Sequence, residues 1–136
     1  MSNVVKVLAG VAIALAPGAA AHAVPADPFG PFGYRQIQLE MPEHQALATG
    51  MVETYSTGLG QDRCDHFPWR GMPGAAGGIT VSSEHGVVLI SARPGQLTAE
   101  GIGKGSTRAA VEAAYDVHEA ANGRMEAAVP GNPNAV

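Results

Sequence analysis

The sequence is poor in aromatic residues, in charged residues and in cysteine. Of its 136 residues only 5% are aromatic and 15% are charged, against roughly 25% charged in an ordinary soluble protein. Eight Lys and Arg face twelve Asp and Glu, and this negative balance argues against nucleic acid as a partner. The single cysteine excludes an internal disulfide and any zinc site built from several cysteines. We therefore predict neither a metal site nor a cofactor.

Glycine and proline are abundant instead, with 18 Gly and 10 Pro. This composition and the short length predict one small domain, rich in loops. We expect an extended lead-in over residues 24–33, a single domain over 34–128 and a flexible tail over 129–136.

The first residues have the pattern of a secretory signal. Lys6 precedes the apolar run 7–16, Pro and Gly end that run, and the segment closes with Ala-His-Ala. We predict a signal peptide over 1–23, cleaved between Ala23 and Val24, and a secreted, extracellular protein. The uncharged stretch holds 15 residues, fewer than the roughly 20 that a membrane span needs. No membrane span is expected after cleavage.

Hydrophobic patterning predicts an α+β fold, in which a small antiparallel sheet packs against two short helices on one side. The strands are expected at 79–83 and 87–92, joined by a hairpin turn. The second strand is apolar on both faces, which favours a central position in the sheet. The helices are expected at 42–49 and 107–121, and Thr107 is a good N-cap for the second.

Two segments 65 residues apart share an organisation. Residues 37–46 and 102–111 each contain an Ile in a strand-like context, a tight turn and a helix start. The first inward residue of each helix is Ala46 or Val111. We interpret them as tandem loop-helix repeats, with two unrelated loop-to-helix junctions as the alternative.

The second segment resembles a module of secreted and lipid-anchored actinobacterial proteins. Residues 98–115 carry its Glu-Gly-Ile, its Gly-Ser-Thr and a helix that ends in Ala-Tyr. Residues 39–42 and 48–50 resemble the companion half, although Glu40 replaces a loop glycine and Pro42 a capping hydroxyl. Together the two halves are similar to the tandem units of β-lactamase-inhibitor-like proteins and of outer-membrane assembly lipoproteins. The domain family that this resemblance indicates has no assigned function.

That resemblance covers roughly residues 33–133 and implies a fold that is incomplete at the C-terminus. In the family, the segment like 129–134 is followed by further strands, whereas this sequence stops at Val136. We therefore expect an exposed sheet edge that invites pairing with another chain, a homodimer included.

The cluster around Cys64 is the candidate for chemistry. A thiol with His66 two residues on has the ligands of a soft-metal site or the elements of an activated nucleophile. Residues adjacent in sequence rarely converge on one atom, and the chain lacks the Cys-x-x-Cys and His-Glu-x-x-His spacings of zinc sites. An exposed structural thiol and an intermolecular disulfide are the other interpretations.

A second candidate is the loop around Trp69, which holds aromatic, cationic and thioether side chains. Its members Phe67, Trp69, Arg70 and Met72 predict a partner contact, because Trp and Arg are enriched at binding hot spots. The alternative is that Trp69 caps the small core. We therefore predict an exported, non-enzymatic binding or interaction module whose partner is an unidentified protein or cell-envelope component. The alternatives are a small enzyme or metal binder that uses Cys64, and a structural envelope component.

Overall fold

The computed structural model describes residues 25–58, 63–72 and 77–136. The predicted signal peptide, 1–23, lies outside the described residues. Nine elements follow in chain order: β1 (Gly33–Tyr34), β2 (Ile37–Gln38), α1 (Glu43–Ala48), β3 (Cys64–Pro68), β4 (Gly78–Ser82), β5 (Gly86–Ser91), α2 (Arg108–Ala114), β6 (Val117–Glu119) and β7 (Met125–Ala127). The fold is α+β, as predicted, with small antiparallel sheets and two short helices. Within the described part of the chain no helix is long and apolar enough to cross a membrane.

The largest sheet has three antiparallel strands in the order β3-β4-β5. Both predicted strands are confirmed to within one residue, and the turn between them is the expected hairpin. The hydroxyl of Ser82 accepts hydrogen bonds from the backbone N–H groups of Glu84 and His85, which fixes this turn. The strands β1 and β2 form a separate hairpin, and so do β6 and β7.

The expectation that the second strand is central was wrong, because β4 is the central strand and β5 lies at the edge. The outer edge of β3 is covered, since Glu53 donates to the backbone carbonyl of Pro68. On β5, Val88 and Leu89 remain 45% and 52% exposed. In this chain the strand that is apolar on both faces is therefore an edge strand with two exposed apolar side chains.

The core lies between α1, the β1–β2 hairpin and one face of the three-stranded sheet. Ile37, Ala46 and Ile79 are fully buried there. The ring of Tyr34 meets that of Trp69 edge-on, with 5.8 Å between the ring centroids. Among the residues that the structure describes, the buried core contains Tyr34, Ile37, Ala46, Val52, Phe67, Trp69, Ile79, Val81 and Val87, and Pro68 is fully buried as well. Since all of them precede residue 88, the core belongs to the first two thirds of the chain.

The second helix is shorter than predicted. It starts as expected, because the hydroxyl of Thr107 accepts a hydrogen bond from the N–H of Ala110. It ends at Ala114, and Tyr115 already has extended backbone angles. The rest of the predicted helix, residues 115–121, contains β6, which pairs with β7 across a turn at Asn122–Gly123, a pair that favours tight hairpin turns. The helix has no buried residue, so no apolar face stabilises a longer one.

The two segments of the predicted repeat adopt similar turns. In the first, the N–H of Met41 donates to the carbonyl of Gln38 over 3.3 Å, and in the second Ser106 donates to Gly103 over 3.0 Å. The third residue of each turn has a positive φ, which is 65° for Glu40 in the first turn and 94° for Gly105 in the second.

The helices also start at aligned positions. The N-cap Pro42 has φ −59° and ψ 146°, and the N-cap Thr107 has φ −70° and ψ 153°. We name residues 37–48 the first motif and residues 102–113 the second motif. Their likeness in backbone is observed, and their origin as a repeat stays a prediction.

Candidate functional site

Two of the four predicted contact residues lie in the core. Phe67 is 4% exposed and Trp69 is 3% exposed. The indole N–H of Trp69 donates to the backbone carbonyl of Ser91 over 2.9 Å, so its polar atom is satisfied inside the protein. The expectation that both rings contact a partner is therefore corrected, and the alternative, that Trp69 caps the core, fits its position. The physical reason is that the small core is built partly from aromatic side chains, of which the sequence has few, and both rings belong to it.

The other two predicted contact residues are partly exposed. The guanidinium of Arg70 donates to the backbone carbonyls of Gly50 and Val52 over 2.6 and 3.3 Å, which ties the loop after α1 to the end of β3. The sulfur of Met72 accepts from Arg93 over 3.5 Å. These contacts give Arg70 and Met72 structural roles, and their contact with a partner stays a prediction.

Cys64 and His66 lie on the same face of β3, since alternate residues of a strand point to the same side. Across the sheet they stand opposite Ser82 and Thr80, and Nδ1 of His66 lies 3.4 Å from the hydroxyl oxygen of Thr80. Cys64 is half-buried. Among residues 25–58, 63–72 and 77–136 no three His, Cys, Asp or Glu side chains are placed to hold a metal ion. A catalytic thiol or an intermolecular disulfide at Cys64 stays a prediction.

The candidate site is a groove that the sequence did not predict. It has a volume of about 910 Å³ and lies between the turn before α1, the β4–β5 hairpin and the C-terminal tail. Such a volume falls in the range of ligand-binding clefts. We name it the groove; it is lined by Phe32, Leu39, Glu40, Pro42, Glu43, Ser82, Ser83, Glu84, His85, Gly86, Val87, Val88, Asn132 and Asn134.

One wall of the groove is built by pairing between the turn before α1 and the start of β5. The N–H of Glu40 donates to the carbonyl of Val87 over 2.8 Å, and the N–H of Val87 donates to the carbonyl of Met41 over 2.9 Å. This contact leaves no room for a side chain at Gly86, where an added Cβ would lie 2.5 Å from the carbonyl oxygen of Met41. Glycine also accepts the φ of 69° that the turn needs there.

The C-terminal tail closes the other end of the groove. The side-chain amide of Asn132 donates to the backbone carbonyl of Pro31 over 2.8 Å, and Asn132 is only 8% exposed. Its side-chain oxygen accepts from the N–H of Asn134 over 3.1 Å. The predicted flexible tail thus contributes a buried anchor and two lining residues.

The groove combines apolar and acidic groups. Phe32 is 57% exposed and Val88 is 45% exposed, so both present apolar surface to solvent. Glu84 is paired with Arg63 over 2.9 Å, whereas Glu40 and Glu43 form no ion pair with any residue that the structure describes. The described lining includes no Lys or Arg. The groove is therefore negative and partly apolar.

Perturbed ionisation is found outside the groove. Burial, and then the hydrogen bond that its hydroxyl donates to Glu100, raises the pKa of Tyr115. The same hydrogen bond lowers the pKa of Glu100. Hydrogen bonding to Asp27 raises the pKa of Arg35. The Tyr115–Glu100 and Arg35–Asp27 pairs both lie at the surface, so each affects only its immediate surroundings.

Sequence reasoning missed the groove because its walls come from three distant segments. The available signals were the apolar run of β5, in which Val88 lines the groove, and the acidic residues Glu40 and Glu43 around the start of the first helix. Comparison of the chain with protein-family models, curated proteins and solved structures finds no match. The assignment of the groove as a contact site therefore depends on the chain's own geometry.

Proposed function

We propose that this chain is an exported, non-catalytic binding module and that the groove is its contact site. The observation that carries the proposal is the combination, in one groove of about 910 Å³, of exposed apolar side chains with unpaired carboxylates. Exposed apolar surface next to polar groups is typical of binding sites, because the free energy falls when a partner covers the apolar surface and removes it from water.

The signal pattern in residues 1–23 supports export. An exported chain would meet its partner in the medium or in the cell envelope. The resemblance of residues 98–115 to a module of secreted actinobacterial proteins supports the same location. The partner contacts the groove. Arg70 and Met72, which follow Pro68 at the opposite end of the three-stranded sheet, are separate predicted contacts.

The test compares two neighbouring exposed residues. Val88 lines the groove and Leu89 does not, yet both are about half exposed, so Val88→Asp and Leu89→Asp change charge and polarity alike. The immobilised chain and both variants are exposed to medium and cell-envelope extract, and bound proteins are identified by mass spectrometry. We expect a partner that the original chain and Leu89→Asp retain and that Val88→Asp loses. Identical capture by all three, with circular dichroism showing all three folded, would refute the groove as contact site.

A second candidate is a structural envelope component that assembles through the edge of β5. Val87 pairs with the turn before α1, but residues 88–90 of this edge strand form no backbone hydrogen bond outside the sheet with any described residue, and Val88 and Leu89 are exposed. An open edge of this kind can pair with another strand. This candidate predicts a dimer in sedimentation equilibrium that Leu89→Lys dissociates. A monomer at all concentrations would exclude it and leave the groove hypothesis intact.

A further inference from the structure

The groove has three kinds of lining group, each of which selects a feature of its partner. The first is negative charge. Glu40 and Glu43 are exposed on the turn and at the start of α1, and neither pairs with a cation among the described residues. A cationic group in the groove is attracted by both carboxylates and displaces no ion-pair partner among the described residues. Phosphate, sulfate and carboxylate ligands are repelled by the same charges.

The second kind is apolar. Phe32 and Val88 are among the most exposed large apolar side chains of the described residues, and both line the groove. Half-buried Leu39 and buried Val87 are further apolar side chains of the lining. A purely polar cation would leave this area in contact with water, so the partner carries an apolar group beside its charge.

The third kind is neutral and forms hydrogen bonds. The hydroxyl of Ser83 and the side-chain amide of Asn134 line the groove. Neither takes part in a side-chain hydrogen bond among the residues that the structure describes. An Asn amide both donates and accepts, which matches the alternating N–H and C=O groups of a polypeptide backbone.

From these three observations we propose that the groove binds a polypeptide segment in which Lys or Arg stands next to an apolar side chain. The basic group is held by Glu40 and Glu43, the apolar side chain covers Phe32 and Val88, and the peptide backbone bonds to Ser83 and Asn134. This assignment rests on the proposed function and adds to it the chemistry of the partner.

The experiment measures fluorescence anisotropy of three labelled peptides with the full chain. The first repeats Ala-Lys-Leu-Ser; the second has Glu in place of Lys, and the third has Ser in place of Leu. We expect the Lys-Leu peptide to bind at least about tenfold more tightly than either other peptide, and its affinity to fall as salt rises. Equal binding of the Glu peptide would overturn the charge assignment, and equal binding of the Ser peptide would overturn the apolar one.

Matched variants separate a local site from general attraction. The double variant Glu40→Gln with Glu43→Gln is compared with Glu112→Gln and Glu119→Gln, which changes the net charge equally outside the groove. We expect the groove double variant to weaken binding of the Lys-Leu peptide roughly three- to tenfold, and the control by less than twofold. Equal weakening by both would show attraction by net charge alone and overturn the site.

Two further outcomes distinguish this inference from the function on which it rests. If Val88→Asp abolishes capture of a partner from extract but no peptide of the panel binds, the partner chemistry is wrong and the binding function stands. If spermine displaces the peptide at equal concentration, a polyamine rather than a polypeptide is the ligand class. Failure of both the capture and the peptide assay would overturn the two proposals together.

Discussion

The first motif and the second motif have similar backbones and different surroundings. In both motifs a backbone hydrogen bond between aligned residues closes the turn, and the third residue of the turn has a positive φ. In both, the helix then starts from an N-cap residue with extended backbone angles. The first motif lies against β5, and its Ile37 and Ala46 are fully buried. The second motif has no buried helical residue. Local sequence is therefore sufficient to set the backbone of such a motif, while its contribution to stability depends on what covers it.

The largest difference is expected at the isoleucine that begins each motif. Ile37→Ala removes a fully buried side chain, and we expect it to lower the free energy of unfolding by about 2–5 kcal/mol. Ile102→Ala removes a half-buried one and should cost about 1 kcal/mol. Urea unfolding followed by circular dichroism measures both. Equal losses would mean that the second motif is as well packed as the first.

The next largest effect is expected where the first motif meets β5. An alanine at Gly86 would have its Cβ 2.5 Å from the carbonyl of Met41, at a φ of 69°. We expect Gly86→Ala to cost roughly 3 kcal/mol, from overpacking and left-handed strain together. The control is Gly105→Ala, which has φ 94° and no atom within 4 Å of the added Cβ, so strain alone should cost roughly 1–2 kcal/mol. Similar melting temperatures for the two variants would contradict the tight contact at Gly86.

A smaller effect is expected at the N-cap of the second motif. The hydroxyl of Thr107 accepts from the N–H of Ala110, so Thr107→Ala should destabilise α2 by about 1 kcal/mol. The helix has no buried residue, and so we expect faster amide hydrogen exchange confined to α2 with little change in global unfolding. Thr107→Ser keeps a hydroxyl and serves as the control. Global destabilisation by Thr107→Ala would show that α2 supports the core.

The smallest effect is expected on the ionisation of Glu100, which together with Tyr115 flanks the second motif. The hydroxyl of Tyr115 donates a hydrogen bond to Glu100, which lowers the pKa of that carboxyl. A lowered carboxyl pKa stabilises the fold above the ordinary value of the group, and this contribution is lost as pH falls through the folded value. We expect Tyr115→Phe to raise the pKa of Glu100 towards its ordinary value in an NMR titration. An unchanged pKa would mean that the hydrogen bond does not form in solution.

Some local elements were predictable from the sequence, but β3 was not, because its residues lie in a stretch interpreted as a loop. Alternating and apolar runs located β4 and β5 to within one residue, and Thr107 located the start of α2. The length of α2 was not predictable from periodicity, because a helical pattern stabilises a helix only where its apolar face is covered. The pair Asn122–Gly123 was a turn signal that favoured a hairpin over a helix end.

The candidate site was much less predictable than the elements. Phe67 and Trp69 are aromatic side chains of the kind found at contact surfaces, yet both are buried, because the small core is built partly from aromatic side chains and holds three of the seven in the sequence. The groove depends on backbone pairing between Glu40 and Val87 and on the hydrogen bond that the side-chain amide of Asn132 donates to the backbone carbonyl of Pro31. The second of these joins residues about a hundred positions apart, and no local pattern contains such a contact.

The sequence by itself determined what short-range chemistry controls: the signal pattern, the loop-rich composition, the hairpin between β4 and β5, and the turns and helix starts of both motifs. It also excluded internal disulfides and disfavoured nucleic acid, because one cysteine and a negative balance of charge suffice for those conclusions. Only the tertiary structure decided which motif is buried, which strand is at the edge and where the groove lies. These depend on which surfaces cover one another, and burial is a property of distant residues brought together rather than of any segment alone.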